Sequence, residues 1–119
     1  MAKSMLLVCR QSPWSGSGAR EALDIALAGG AFDLPVALLF LDDGVLQLAT
    51  AQQAAAVQQK DLSANLRALP MFGVDELYVD QRSLDARGLS AEALDLPVTP
   101  LDDGALRTLL DRFDLLVTL

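Results

Sequence analysis

A chain of 119 residues with a hydrophobic share of 52% is sized for a single domain, residues 1–119, around one core. Nine Lys plus Arg against sixteen Asp plus Glu give a net charge of −7, which opposes the phosphate neutralisation that direct nucleic-acid binding relies on. There is no histidine and only one cysteine, Cys9, which excludes His-based triads, His general bases, zinc sites and an intramolecular disulfide.

The first nine residues hold only a short apolar run before Arg10, with no extended h-region and no small-residue cleavage site, so a cytoplasmic chain is expected, with no membrane contact. Met5 to Cys9 predicts a buried strand, and the loop Arg10 to Gly18 follows with Pro13 and two glycines. Ala19, Leu23, Ala26 and Leu27 recur at helical spacing, and Gly29 with Gly30 signals the stop. Leu34 to Leu41 is a continuous apolar run of strand length, too short to span a membrane and too unbroken for a strand wet on one face. It ends at Asp42, Asp43 and Gly44. Either aspartate is expected to cap the next helical turn, accepting from its free amides.

Ala49 to Gln59 is an Ala/Gln-rich patch that reads as helix or loop. Leu62, Leu66 and Leu69 mark one face of a helix expected to end at Pro70. Glu76 to Val79 predicts a third strand, Ser83 to Arg87 a helical turn closed by Gly88, and Leu96 to Thr99 a fourth strand. Asp102 or Asp103 then caps a helix with the stripe Leu106, Leu109, Leu110 and Phe113, and Asp114 precedes a last strand, Leu115 to Leu119. Strands alternating with helices predict an α/β fold, a three-layer α/β/α sandwich around a mostly parallel five-stranded sheet. Sites in such sheets gather at the carboxyl ends of strands: here Cys9 and Arg10, Asp42 and Asp43, Asp80 and Gln81, and Thr99 and Pro100.

Few of these residues suggest chemistry. Ser15 to Gly18 has the setting of a phosphate loop, but Glu21 stands where a dinucleotide fingerprint needs glycine, and no Lys-Ser or Lys-Thr pair completes a P-loop. A small-molecule site on the loop Arg10 to Gly18 is the weakest of three readings. Trp14 is a candidate interface anchor or a local packing residue, and the apolar positions of Ala49 to Val57 are further interface candidates. Cys9 beside Arg10 is a candidate sulfur carrier, although a thiol at the end of an apolar strand is expected to be buried and inert. Asp42 and Asp43 lack the converging partners that acid–base or cation chemistry requires, and no metal or cofactor is expected.

The first strand with its Ser/Gly loop, Arg20 to Asp24, the block Phe40 to Leu48, Ser83 to Leu89 and Thr99 to Leu101 together resemble the DsrE/DsrF/DsrH family, nearly end to end. The Asp43 to Leu48 segment is the most specific part. The resemblance implies an accessory subunit of a cytoplasmic heterohexamer, two copies each of three related chains. Its TusB-like and TusD-like partners and a TusE-like acceptor would relay persulfide sulfur toward 2-thiouridine at the tRNA wobble position. A DsrF-like role in a sulfur-oxidation complex of the same fold is the alternative. In TusD-like members the sulfur-carrying cysteine follows the third strand; Asp80 occupies that place here, and a carboxylate forms no persulfide. The resemblance therefore implies a structural or docking role with no catalytic residue of its own, a sulfurtransferase that uses Cys9 being the competing expectation.

Overall fold

The computed structural model describes residues 4–11, 18–31, 35–48, 68–74, 76–90 and 98–119. Five strands form one sheet: β1 Met5–Cys9, β2 Val36–Phe40, β3 Glu76–Asp80, β4 Thr99–Leu101 and β5 Leu115–Thr118, in the order β4-β3-β2-β1-β5. Every neighbouring pair is parallel. Among the described residues the α-helices are α1 Gly18–Ala31, α2 Gln81–Ala86 and α3 Asp103–Arg112, with 3-10 turns at Asp42–Leu48 and Leu69–Phe72.

The strand order explains the layers. From β1 to β4 the chain steps in one direction across the sheet, then returns past β1 to form β5. A right-handed crossover that reverses direction puts its helix on the opposite face. Accordingly, α1, the 3-10 turns and α2 share one face, where Ala22, Ala26, Val45, Leu48, Leu69 and Leu84 pack on Leu7, Cys9, Leu38, Phe40, Leu77 and Val79. On the other face α3 brings Leu106, Leu109, Leu110 and Phe113 onto Leu6, Val8, Ala37 and Leu39. β2 is buried along its whole length, as its unbroken apolar run requires.

Several sequence expectations shift. The Gly29 and Gly30 pair does not stop α1, which runs on to Ala31. A Cβ on Gly29 would lie 2.6 Å from a Val36 methyl, so glycine serves close packing of α1 on β2. The α-helix expected to end at Pro70 gives way just before it: Ala68 is the last α-helical residue, and Pro70 lies near the start of the 3-10 turn that follows, where its missing N–H costs nothing, and Gly73 at φ 87 closes that turn. Residues 62–67, the body of the expected helix there, lie outside the described residues, as does the Ala49 to Gln59 patch. The fourth strand begins only at Thr99 and extends to Leu101; apolar character drew the prediction toward Leu96, yet the ladder pairs Tyr78 with Thr99 and Asp80 with Leu101. The turn predicted over Ser83 to Arg87 is α2, starting at Gln81 and followed by Gly88 at φ 67. Asp102, of the two candidates, caps α3 by accepting from the Ala105 amide at 2.8 Å. No helix among the described residues is long and apolar enough to cross a membrane.

Candidate functional site

The carboxyl ends of β1, β2 and β3 lie side by side, as parallel register demands, and bring together residues distant in sequence. Gly44 permits this closeness: a Cβ there would sit 1.8 Å from the Cys9 carbonyl oxygen, so only glycine lets the turn after β2 press on the end of β1. The Leu41 amide donates to that same carbonyl at 3.1 Å.

The expectation that Asp42 or Asp43 caps this turn is corrected. Asp42 is already inside the 3-10 turn, at φ 51, a left-handed value that aspartate tolerates. Its carboxylate receives the Arg10 guanidinium, Nε donating to Oδ2 at 2.8 Å. The Asp43 carboxylate receives Arg87, Nη2 donating to Oδ1 at 2.8 Å and Nε at 3.1 Å. Two arginines too distant in sequence for a local reading to pair them compete successfully for carboxylates that would otherwise cap.

At the centre lies Ser83. Its Oγ donates to Asp80 Oδ2 at 2.6 Å and accepts from the Asp42 amide at 2.9 Å, and its own amide also donates to Asp80 Oδ2. Asp80 is the N-cap of α2, so β3, α2 and the turn after β2 are joined through one hydroxyl. Arg87 adds a bond to the Ser83 carbonyl at 3.2 Å. Both Ser83 and Asp80 are buried, and Asp80 Oδ1 has no hydrogen-bond partner among the described residues. With its proton held by a carboxylate and a lone pair by an amide, the Ser83 hydroxyl acts as a brace rather than a nucleophile. The sequence reading missed Ser83 and Arg87 as site residues. The available signal was Asp80 followed three residues later by Ser83, the spacing at which a cap meets its amide.

Cys9 is 1% exposed, and burial pushes its thiol up to about 12. Its sulfur lies 3.9 Å from the Leu7 carbonyl. Arg10 does not lower the thiol pKa, because the guanidinium turns to Asp42 in solvent. Beyond β3, the first turns of α2 and α3 flank an open depression of about 510 Å³ lined by Gln81, Arg82, Asp85, Asp102, Asp103 and Gly104, in which Arg82 pairs with Asp103. Thr99 and Pro100 are exposed on β4 and join no bond of the network. Trp14, Ser15 to Ser17 and the Ala49 to Val57 positions lie outside the described residues. Among the described residues no group of three or more carboxylate, thiol or imidazole side chains could hold a metal ion.

Comparison with known proteins adds four findings. A model of the DsrE/DsrF-like family matches residues 3–119. The chain is 67% identical over 119 residues to a protein TusC homolog of Pseudomonas aeruginosa, covering all of both chains. It is 40% identical over 94 residues to the intracellular sulfur oxidation protein DsrF of Allochromatium vinosum, covering 79% of this chain and 69% of that one. Among solved structures, the ychN protein from E. coli superposes with a TM-score of 0.77 at 18% identity, covering 98% of this chain and 99% of the other, a likeness of fold.

Proposed function

Because the chain belongs to the DsrE/DsrF-like family, we propose that it is a non-catalytic structural and docking subunit of a cytoplasmic TusBCD-like sulfur relay, which passes persulfide sulfur toward 2-thiouridine in tRNA. Its partners in this reading are TusB-like and TusD-like chains in a heterohexamer and a TusE-like acceptor. The full-length identity to a TusC homolog supports it.

The observation that carries the reading is the state of Asp80. In persulfide transfer the acceptor thiolate attacks the terminal sulfur of the donor persulfide, a new S–S bond forms, and the donor departs as thiolate. A sulfur carrier at the carboxyl end of the third strand, where β3 runs one residue beyond the expected Val79 to end at Asp80, would therefore have to be a thiol. Here it is a buried carboxylate committed to Ser83, which can neither attack nor carry sulfur. Cys9, the other candidate, is a neutral thiol without solvent access, whereas a carrier needs an accessible thiolate. What the described residues offer instead is a strand-end surface on which Arg10 pairs with Asp42 and Arg87 with Asp43, and on which Ser83 ties the turn after β2 to β3.

The test is native mass spectrometry of this chain co-expressed with TusB-like and TusD-like chains from the same source, after exposure to a persulfide donor. The expected result is a heterohexamer in which sulfur accumulates on the TusD-like chain. A gain of one sulfur on this chain, abolished by Cys9→Ser, would establish the sulfurtransferase alternative. The identity to DsrF of Allochromatium vinosum favours a second reading, a subunit of a sulfur-oxidation complex. Deleting the gene separates the two, since loss of tRNA thiolation belongs to the relay and loss of sulfur oxidation to the second reading.

A further inference from the structure

The sulfur atoms of the described residues stand in contrasting surroundings. Cys9, the single thiol, ends the interior strand β1 at 1% exposure. Met5 begins the same strand, half-buried, with β2 on one side, β5 on the other and its side chain packed against the larger core cluster. Met71 is the opposite case, 87% exposed on the second 3-10 turn. Buried side chains, Leu69 and Val74, fix that turn at both ends. The Gly73 amide donates to the Pro70 carbonyl and the Val74 amide to the Leu69 carbonyl, both at 3.1 Å, and close it. Between these anchors Met71 is presented to solvent on a turn whose hold on the core lies elsewhere.

We propose that Met71 is a reversible oxidation site: a hydroperoxide converts its thioether to the sulfoxide while Cys9 stays reduced. In that step a sulfur lone pair attacks the outer peroxide oxygen, an S–O bond forms and the O–O bond breaks. Sulfur gives up two electrons. The proton on the transferred oxygen passes to the leaving one, which departs as water, or as an alcohol when the hydroperoxide is organic. Return needs a dithiol reductant, which supplies two electrons and two protons, becomes a disulfide and releases the oxygen as water.

Access decides the order of reaction. A thioether does not ionise, so its oxidation needs no base and no charged neighbour, only approach of the peroxide to sulfur. A thiol reacts as the thiolate, and burial both pushes Cys9 up to about 12 and keeps peroxide away from its sulfur. The fold thereby inverts the order of an unfolded chain, in which a cysteine is oxidised before a methionine. The product is confined as well. The sulfoxide puts a polar group where an apolar one stood, on a turn held by Leu69 and Val74, so the surface changes and the core does not. The proposal stands independently of the sulfur-relay reading.

The test exposes the full chain to hydrogen peroxide, stops the reaction at intervals with catalase, alkylates the remaining thiol in denaturant and follows each sulfur by peptide mass spectrometry. Trypsin isolates Met71 as the one methionine between Arg67 and Arg82, while Met5 and Cys9 fall together between Lys3 and Arg10, where fragmentation separates them. The folded chain is expected to gain oxygen at Met71 roughly fivefold or more faster than at Met5, with Cys9 still open to alkylation. In denaturing urea Cys9 should overtake Met71. Methionine sulfoxide reductases for both epimers should remove the oxygen from the folded chain, and the urea midpoint of the oxidised protein should match that of the untreated one. Oxidation of Met5 or Cys9 at the pace of Met71 in the folded chain overturns the proposal. So does Cys9 trailing Met71 even in urea, a sulfoxide that the reductases cannot reach, or a lowered urea midpoint after oxidation.

Discussion

Ser83 and Gly44 exert their influence by different physics. Ser83→Ala removes a donor to Asp80 and leaves the Asp42 amide without its acceptor in a part-buried setting. The expected loss is about 1–3 kcal/mol of unfolding free energy, measured by urea denaturation. Asp80→Ala should cost a similar amount, and the double variant less than the two together, because the substitutions share one bond. Gly44→Ala works by overlap: its methyl would enter the space of the Cys9 carbonyl oxygen, and one of the two backbones must move. We expect about 1–3 kcal/mol or more, with the turn displaced from the end of β1. Cys9 shows the part of the site that was legible from residue type alone. A thiol ending an apolar strand reads as buried, and it is buried. The arginine partners of Asp42 and Asp43 were not legible, since Arg87 lies 44 positions from Asp43 and Arg10 lies 32 from Asp42, beyond any local pattern.

Among the elements, α3 is fastened to β3 by a polar clasp at its carboxyl end. Arg112 pairs with Glu76, lies 4.8 Å from the centre of the Phe113 ring and approaches Tyr78, whose hydroxyl donates to Glu76 at 2.8 Å. Burial penalises the Glu76 charge, but the hydrogen bonds from Tyr78 and Arg112 together with the Arg112 charge outweigh it and hold the carboxyl below its ordinary value of 4.5. The folded protein therefore gives up that negative charge at lower pH than the unfolded chain does. This contribution is whole above the unfolded value and is lost as pH falls through the lower folded one. The stability gap between the unaltered chain and Glu76→Gln should accordingly narrow on acidification below about 4.5, by urea midpoints at successive pH values. Tyr78 has the opposite sign: burial and its bond to Glu76 raise the phenol, so its share is present below 10 and lost as pH rises through the higher folded value. Elements with one strong period were legible in the sequence. The stripe Leu106, Leu109, Leu110 and Phe113 faces the sheet as its spacing predicts. β4 was not: its residues Thr-Pro-Leu have no strand periodicity, and the ladder with β3, a tertiary contact, defines where it begins and ends.

For the molecule as a whole, the net charge of −7 sets what it meets. The chain alone should leave the mobility of tRNA unchanged in a gel-shift assay at low salt, where any attraction to phosphate would be strongest. In the relay reading, contact with RNA then falls to another protein. The sheet also imposes an order in time. β1 lies between β2 and β5, and the clasp of Ser4 by Asp114 closes a span of 110 positions. During synthesis β1 can pair with β2 early, but its other side must wait for residues 115–118, about 110 positions further along the chain. Long-range closure of this kind slows folding, so until β5 is made the nascent protein presents an incomplete sheet to chaperones and to neighbouring nascent chains.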